Sequence, residues 1–324
     1  FYDVDNWFWQ SLFDGALIIQ LWHGVPVKRG CATMLERTPT FYHFAGMLYD
    51  TFGTHIAIAE SEMCKKSYME DWPNAQVFSF GSARNDFLVC KEQFGDWWRL
   101  GLDSTVYSSL EKEKAEGKKI ILCCPTYRET NYVSRVFLKT WFSALIALAK
   151  LENVKIGFKA HYRHFREHGD QMKPFLQFCK DWGVIFIPPS EDIHPYYLLA
   201  DVLVTDYSSV YMDFMLLGRP IVFFREDLHE YQATRELRIY ENLDVENIGP
   251  VCRNARQLAG AVQRELAVSS YREKILENAR RFHANAIEGK ASKKLSRLCH
   301  WLITQGNNAI ENIAVLMEED HDRN

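Results

Sequence analysis

Between positions 119 and 224, short apolar runs alternate with longer stretches of helical spacing, and this alternation limits the possible folds more than any other feature. The runs fall at 119–123, 155–158, 184–187, 202–205 and 220–224, and the helical stretches at 137–151, 172–182, 194–200 and 209–217. Apolar runs of four or five residues without a polar alternation are expected of strands covered on both faces. Helices placed between them are the crossovers that parallel strands require. The pattern predicts an α/β domain with a doubly wound parallel sheet.

Upstream the signal is thinner. Strands are predicted at 16–21, 55–59 and 76–80, a helix at 33–52, and another from Ser61 with Glu62 in its first turn. GSARNDFL at 81–88 reads as a turn and helix start, with Asn85 or Asp86 as the cap. The charged, helical stretch 91–118 ends at Gly117 and reads as the hinge between two halves; beyond Ala255 the spacing is amphipathic helix. The first half shows three strands where a complete Rossmann-like half has five or six. The chain also opens without Met inside an aromatic stretch, so upstream sequence is expected to be missing.

A length of 324 residues accommodates two domains, and 47% hydrophobic residues suit a globular chain. A net charge of −4 argues against nucleic acid as the main partner, because a phosphate-tracking surface needs a basic excess. Eight cysteines without a Cys-x-x-Cys pair read as reduced thiols in a cytoplasmic enzyme. No run of about 18 apolar residues and no basic leader segment appear, so neither a membrane span nor a signal peptide is expected.

In an open parallel sheet the carboxyl ends of the strands border the ligand crevice. His23, in LWHGVPVK, and His161, in KAHYRHF, both follow predicted strands. An imidazole there can move protons near neutral pH. Taken singly, His23 equally fits a core residue beside Trp22, and His161 a solvated basic loop. As a pair from two halves they would face each other across a cleft, a base opposite a phosphate-stabilising partner. Thr126 and Arg128, in CCPTYRET, lie at another strand end. Arginine there suits bidentate contact to phosphate, and pairing with a nearby acid is as open a reading. TDYSSVYMDFMLLGRP brings Thr205, Asp206, Ser208 and Ser209 to a helix entrance, where hydroxyls and free N–H groups can hold an anion. Gly218 is placed to close that helix. Without Gly-x-Gly-x-x-Gly or a Walker loop, dinucleotide and P-loop readings lack support.

Together these segments resemble the CDP-glycerol glycerophosphotransferases of teichoic acid and capsule polymer synthesis. The resemblance rests on Trp22, His23, Gly24, Pro26 and Lys28; on GSARND at 81–86, with Ala83 where proline is usual; and on Pro125, Thr126, Tyr127 and Arg128. It continues through His161, followed by Tyr162 instead of proline, TDYSS at 205–209 with Asp213 and Phe214, Tyr231 and Arg235, IGPV at 248–251, and FHANAIEGKAS, with Glu288 in place of aspartate. The resemblance implies a GT-B-like fold, two Rossmann-like domains with the active site in the cleft between them and the N-terminal half incomplete. The implied division is 1–104 as a partial acceptor-side domain, 105–285 as the CDP-alcohol-binding domain, and 286–324 as a C-terminal helical segment.

It further implies transfer of a glycerol-phosphate or related polyol-phosphate unit from a CDP-activated donor to an acceptor hydroxyl, with release of CMP. His23 is expected to deprotonate the hydroxyl and His161 to orient or neutralise the donor phosphate. Arg128, Thr126, Thr205, Ser208 and Ser209 are expected to hold the diphosphate, and Asp206, Glu288 and Ser292 to contact hydroxyls or position partners. No cofactor is required and no metal ligand is assigned; whether a divalent cation assists is left open. The acceptor is expected to be lipid-linked or polymeric, on the cytoplasmic side, with Trp7, Trp9, Lys28 and Arg29 near the inner membrane surface. Two other readings are a GT-B glycosyltransferase using a nucleotide-sugar, and a non-catalytic subunit that binds nucleotide or polymer.

Overall fold

The structure, a computed structural model, describes residues 16–22, 24–27, 32, 41–99, 102–128, 131–229, 231, 245–283 and 287–305. Its first part holds β1 (Ile19–Gln20), α1 (Phe41–Gly53), β2 (Ile56–Ala59), α2 (Glu62–Asp71), β3 (Gln76–Ser79), a 3₁₀ turn (Ala83–Asn85) and α3 (Asp86–Val89). There follow α4 (Ser104–Ala115), β4 (Lys119–Cys124), α5 (Asn131–Ala149), β5 (Val154–Phe158), α6 (Tyr162–Asp181), β6 (Ile185–Phe186), α7 (His194–Leu199) and β7 (Val202–Thr205). The last elements are α8 (Val210–Phe214), β8 (Ile221–Phe224), β9 (Val251–Cys252), α9 (Ala255–Val268), α10 (Arg272–Phe282) and α11 (Ala291–Gln305).

Two parallel sheets result. The first has the order β1-β2-β3 and the second β6-β5-β4-β7-β8-β9. Counted from β4, the second order is 3-2-1-4-5-6, the dinucleotide-fold arrangement. Its direction reverses between β4 and β7, so the crevice of this lobe opens beyond the carboxyl ends of those two strands.

The alternation of side chains along each strand divides the packing between the sheet's two faces. Ile121, Cys123, Val202, Val204, Val222 and Phe224 pack with Trp141, Leu145 and Leu148 of α5 and with Leu258 and Val262 of α9. Ile120, Leu122, Leu203, Ile221 and Phe223 face the other way, toward Tyr107 and Leu110 of α4 and Phe282 of α10. That second core runs on without a break into the first lobe, through Ala57, Ala59, Tyr68, Trp72 and Phe87. On the far face of the first sheet, Ile56, Ile58 and Phe80 are covered by Leu298 and Leu302 of α11. The last described helix therefore returns to close the first lobe.

Several boundaries differ from the sequence expectation. α6 begins at Tyr162, ten residues before the apolar stripe at Met172, because its first turns are charged and Pro174 interrupts its middle. The expected helix at 209–217 is the five-residue α8 continued by a 3₁₀ turn at Met215–Leu217, and Gly218 ends it in the left-handed conformation, φ +59°. Neither Asn85 nor Asp86 caps its own helix. The Asp86 carboxylate instead accepts from the backbone N–H of Ala291 (3.1 Å), the N–H of Ser292 (2.7 Å) and the Ser292 hydroxyl (2.6 Å), capping the start of α11 across 205 residues. The edge strand β9 was not anticipated. It is docked through Gly249, where an added Cβ would fall inside contact distance of the Ile221 carbonyl oxygen. Gly249→Ala is accordingly expected to cost roughly 1–3 kcal/mol, read as a lower urea midpoint at unchanged m-value.

All seven cysteines among the described residues are free. Among the described residues, no helix is long and apolar enough to cross a membrane.

Candidate functional site

The segment 22–27 leaves β1 and turns sharply. Trp22 has φ +49° and Gly24 φ +134°, so left-handed backbone flanks position 23 on both sides. A bulky aromatic rarely adopts this conformation, and strain of this kind persists only where surrounding contacts enforce it. For Trp22 those contacts are visible. Its ring meets Trp72 edge-on at 5.0 Å, and its N–H donates to Gln20 Oε1 at 3.0 Å. His23 itself lies outside the described residues, as do Trp7, Trp9, Lys28, Arg29 and Arg235.

Gly24 reaches the second lobe. A Cβ built on it would stand 3.7 Å from Ser209 Oγ at the entrance of α8, and 2.5 Å from Arg84 Nη2. The loop that carries His23 therefore abuts the TDYSS segment, joining two of the segments singled out in the sequence. Ser208 and Ser209 are both partly exposed. The Val210 N–H approaches Ser208 Oγ at 3.5 Å, and no side-chain cap comes from Ser209.

At the switch point the loops after β4 and β7 are tied together by one buried arginine. Arg128 Nε donates to Asp227 Oδ2 (2.7 Å), Nη2 to Asp206 Oδ2 (2.8 Å) and Asp227 Oδ1 (3.1 Å), and Nη1 to the Thr126 carbonyl (2.8 Å). Its side chain is 3% exposed and lies against the Tyr207 and Tyr231 rings, which stack on each other at 3.9 Å. Asp206 also accepts from the backbone N–H of Thr126 (2.8 Å) and Tyr207 (2.6 Å). Burial alone would raise the Asp206 carboxyl; the Arg128 charge and these donors outweigh it and hold it below the ordinary carboxylate range. Of the two readings open for Arg128, the structure displays an arginine committed to internal acids. Thr205 is likewise committed, its hydroxyl donating to the Cys124 carbonyl at 2.7 Å. Thr126 differs: its buried hydroxyl oxygen has no hydrogen-bond partner among the described residues.

His161 sits beside this knot. It is exposed, it is the N-cap of α6, and its Nδ1 accepts from the Arg163 N–H at 3.3 Å. With Nδ1 accepting, a neutral ring carries its proton on Nε2 and offers a donor there. Its ring lies 5.9 Å from that of Tyr127, which places it next to the Thr126–Arg128 loop. Glu288 and Ser292 lie elsewhere. Glu288 is paired with Lys290 at 3.0 Å, and Ser292 is held by Asp86. No hydrogen bond or ion pair among the described residues joins either to the loops after β4 and β7.

A second polar cluster had been given no role from the sequence. Arg84 Nη2 donates to Asp213 Oδ2 at 2.6 Å, and Asn85 Nδ2 to Asp213 Oδ1 at 2.9 Å, across 129 and 128 residues. Glu60, 1% exposed at the end of β2, receives the Tyr68 hydroxyl at 3.0–3.1 Å. Burial pushes its carboxyl up to about 7, against the pull of the Arg84 charge. The available signal was opposite charge without a local partner in GSARND at 81–86 and TDYSSVYMDF at 205–214. The raised carboxyl carries a stability consequence. Glu60 binds its proton more tightly folded than unfolded, so its contribution is intact below pH 4.5 and is lost as pH rises toward about 7. Glu60→Gln is expected to match the parent near pH 4.5 and to exceed it by roughly 3 kcal/mol at pH 8, measured by urea unfolding. Equal curves at pH 8 would contradict this.

The chain matches the family described as CDP-Glycerol:Poly(glycerophosphate) glycerophosphotransferase over residues 7–300. It is 28% identical over 237 residues to a teichoic acid poly(glycerol phosphate) polymerase of Bacillus spizizenii, covering 66% of this chain and 52% of that protein. To the polymerase of the same description from Bacillus subtilis it is 27% identical, covering 76% of this chain and 32% of that one. To a teichoic acid glycerol-phosphate transferase of Staphylococcus aureus the identity is 27%, with 76% and 61% covered. The chain thus spans about a third to three fifths of the length of these relatives. Among solved structures, the wall teichoic acid polymerase TagF (H444N variant) superposes with a TM-score of 0.67 at 23% identity, covering 90% of this chain and 69% of that one. A UDP-N-acetylglucosamine 2-epimerase from Listeria monocytogenes gives 0.54 at 10% identity, covering 92% and 70%. These likenesses show the fold, which is GT-B-like as the resemblance implied. With the family matched over residues 7–300, nearly the whole length, and a GT-B-like fold, the chain belongs to the CDP-glycerol:poly(glycerophosphate) glycerophosphotransferases.

Proposed function

We propose that this cleft transfers a polyol-phosphate unit from a CDP-activated donor to an acceptor hydroxyl. The acceptor oxygen attacks the β-phosphorus, the bond from that phosphorus to the bridging oxygen breaks, and CMP departs with the bridging oxygen. The hydroxyl proton passes to His23, acting as general base. His161 orients the phosphate through its Nε2–H, with the free hydroxyl of Thr126 and those of Ser208 and Ser209 completing the cradle. Arg128, Thr205 and Asp206 form its floor and fix the two loops at their spacing, while Glu288 and Ser292 act through the placement of α11.

In this reading residues 1–104 form the acceptor-side domain, 105–285 the CDP-alcohol-binding domain and 286–324 the helical closure. The acceptor is lipid-linked or a growing polymer, met at the inner membrane surface by a peripherally bound protein. The observation that carries the reading is the abutment of the Gly24 turn on Ser209, which brings family segments from the two lobes to one point.

The test is to incubate the protein separately with CDP-glycerol and CDP-ribitol, with a lipid-linked glycerol-phosphate acceptor, and to quantify CMP. Acceptor-dependent CMP from one donor is expected. Turnover confined to nucleotide-sugars, or none with either donor, would contradict the reading.

A further inference from the structure

We propose that Arg84 is the positioning residue of the cleft, an interlobe strut that holds the strained Trp22–Gly24 turn against the entrance of α8; this rests on the transferase reading above. Arg84 belongs to the 3₁₀ turn after β3, in the first lobe, and its acid partner Asp213 lies on α8, in the second. Asn85 grips the other oxygen of the same carboxylate, so the Asp213 carboxylate is held from the first lobe on both sides. α8 is itself anchored, because the buried His283 presents Nε2 to the Met212 carbonyl at 2.8 Å. The guanidinium thus has a fixed base.

Its working end meets the turn. Nη2 occupies the space a Cβ at Gly24 would need, 2.5 Å from that position. Glycine is favoured at 24 by its φ of +134°, and a side chain there would in addition have to displace the guanidinium end. The turn is held at several points: Trp22 packs on Trp72, Gly24 meets Arg84 and Ser209, and Val25 and Val27 just after it are buried in the core. Arg84 is also less committed than Arg128. Its side chain is 24% exposed and its Nε is without a partner among the described residues, whereas Arg128 is 3% exposed and fully engaged.

Arg84 acts on the reaction only through the turn it supports. Removing it should leave donor affinity alone and spoil the approach of the base, and a misplacement of about 1 Å can cost roughly 100-fold in rate.

The experiment compares the parent protein, Arg84→Lys and Asp213→Asn by steady-state CMP release with CDP-glycerol, and by amide hydrogen exchange across 24–27 and across β4. The expected result is kcat lower by about 100-fold with KM for donor within about threefold, together with faster exchange at 24–27 and unchanged exchange in β4. Arg84→Ala should regain part of its kcat on addition of guanidinium at millimolar concentration. A raised KM at unchanged kcat would make Arg84 a donor ligand and overturn the proposal, as would unchanged exchange at 24–27 in both variants. If the parent protein releases no CMP, the transferase reading fails. The exchange data then still decide whether Arg84 holds the turn.

Discussion

Arg128→Met is expected to destabilise the protein by about 3–5 kcal/mol near neutral pH, because it leaves two buried carboxylates without their shared cation. Asp206 is fully buried and Asp227 is 7% exposed, so neither can be rescued by water without opening the loops after β4, β7 and β8. The pH dependence identifies the cause. In the parent, the Asp206 carboxyl is held low, so its stabilising contribution is present above the unfolded value and is lost as pH falls through the folded one. Without Arg128 burial dominates and the carboxyl moves up, so the variant gains relative stability on acidification. Urea midpoints at pH 4 and pH 7.5 should therefore lie closer to the parent's at the lower pH. A constant difference would mean that lost packing against Tyr207 and Tyr231, not charge, accounts for the cost.

The second large effect concerns His161. It caps α6 through Nδ1, and in the proposed reaction it offers the opposite nitrogen to the donor. Asparagine is a strong N-cap, so His161→Asn keeps the first and removes the second. Its turnover with CDP-glycerol is expected to fall by roughly 10²–10⁴-fold at nearly unchanged thermal stability. His161→Ala should lose the same activity and, in addition, about 1 kcal/mol of stability. Full activity in His161→Asn would reduce the histidine to a cap and remove it from the mechanism.

The second lobe was legible because its strands are buried runs. β4, β7 and β8 are nearly uniform apolar segments bounded by Gly117, Asp201 and Pro220, and their ends could be read to within a residue. The start of α6 could not, since YRHFREHGDQ has no apolar stripe and only its backbone, begun at a histidine cap, makes it helical. Long-range polar contacts were the least readable. Asp86 looks like a local cap and is one, but for a helix that starts 205 residues away. Arg128 at a strand end suits a phosphate as well as an acid. What decided between them was Asp227, 99 residues on, which sequence spacing does not bring near. Conversely, the hydroxyls of Ser208 and Ser209 mark a helix entrance that the sequence alone displays. The closeness of Ser209 to Gly24 depends on packing between lobes, which no local pattern encodes.

In the proposed reaction the β-phosphorus of a CDP-activated polyol is the atom attacked. Donor labelled with ³²P only at the β-position, incubated with protein and lipid-linked acceptor, tests it directly. The label is expected in the acceptor in equal amount to the CMP released, with the CMP unlabelled. Label leaving with the nucleotide as CDP would contradict it, because the bond broken would then lie on the polyol side of the phosphate.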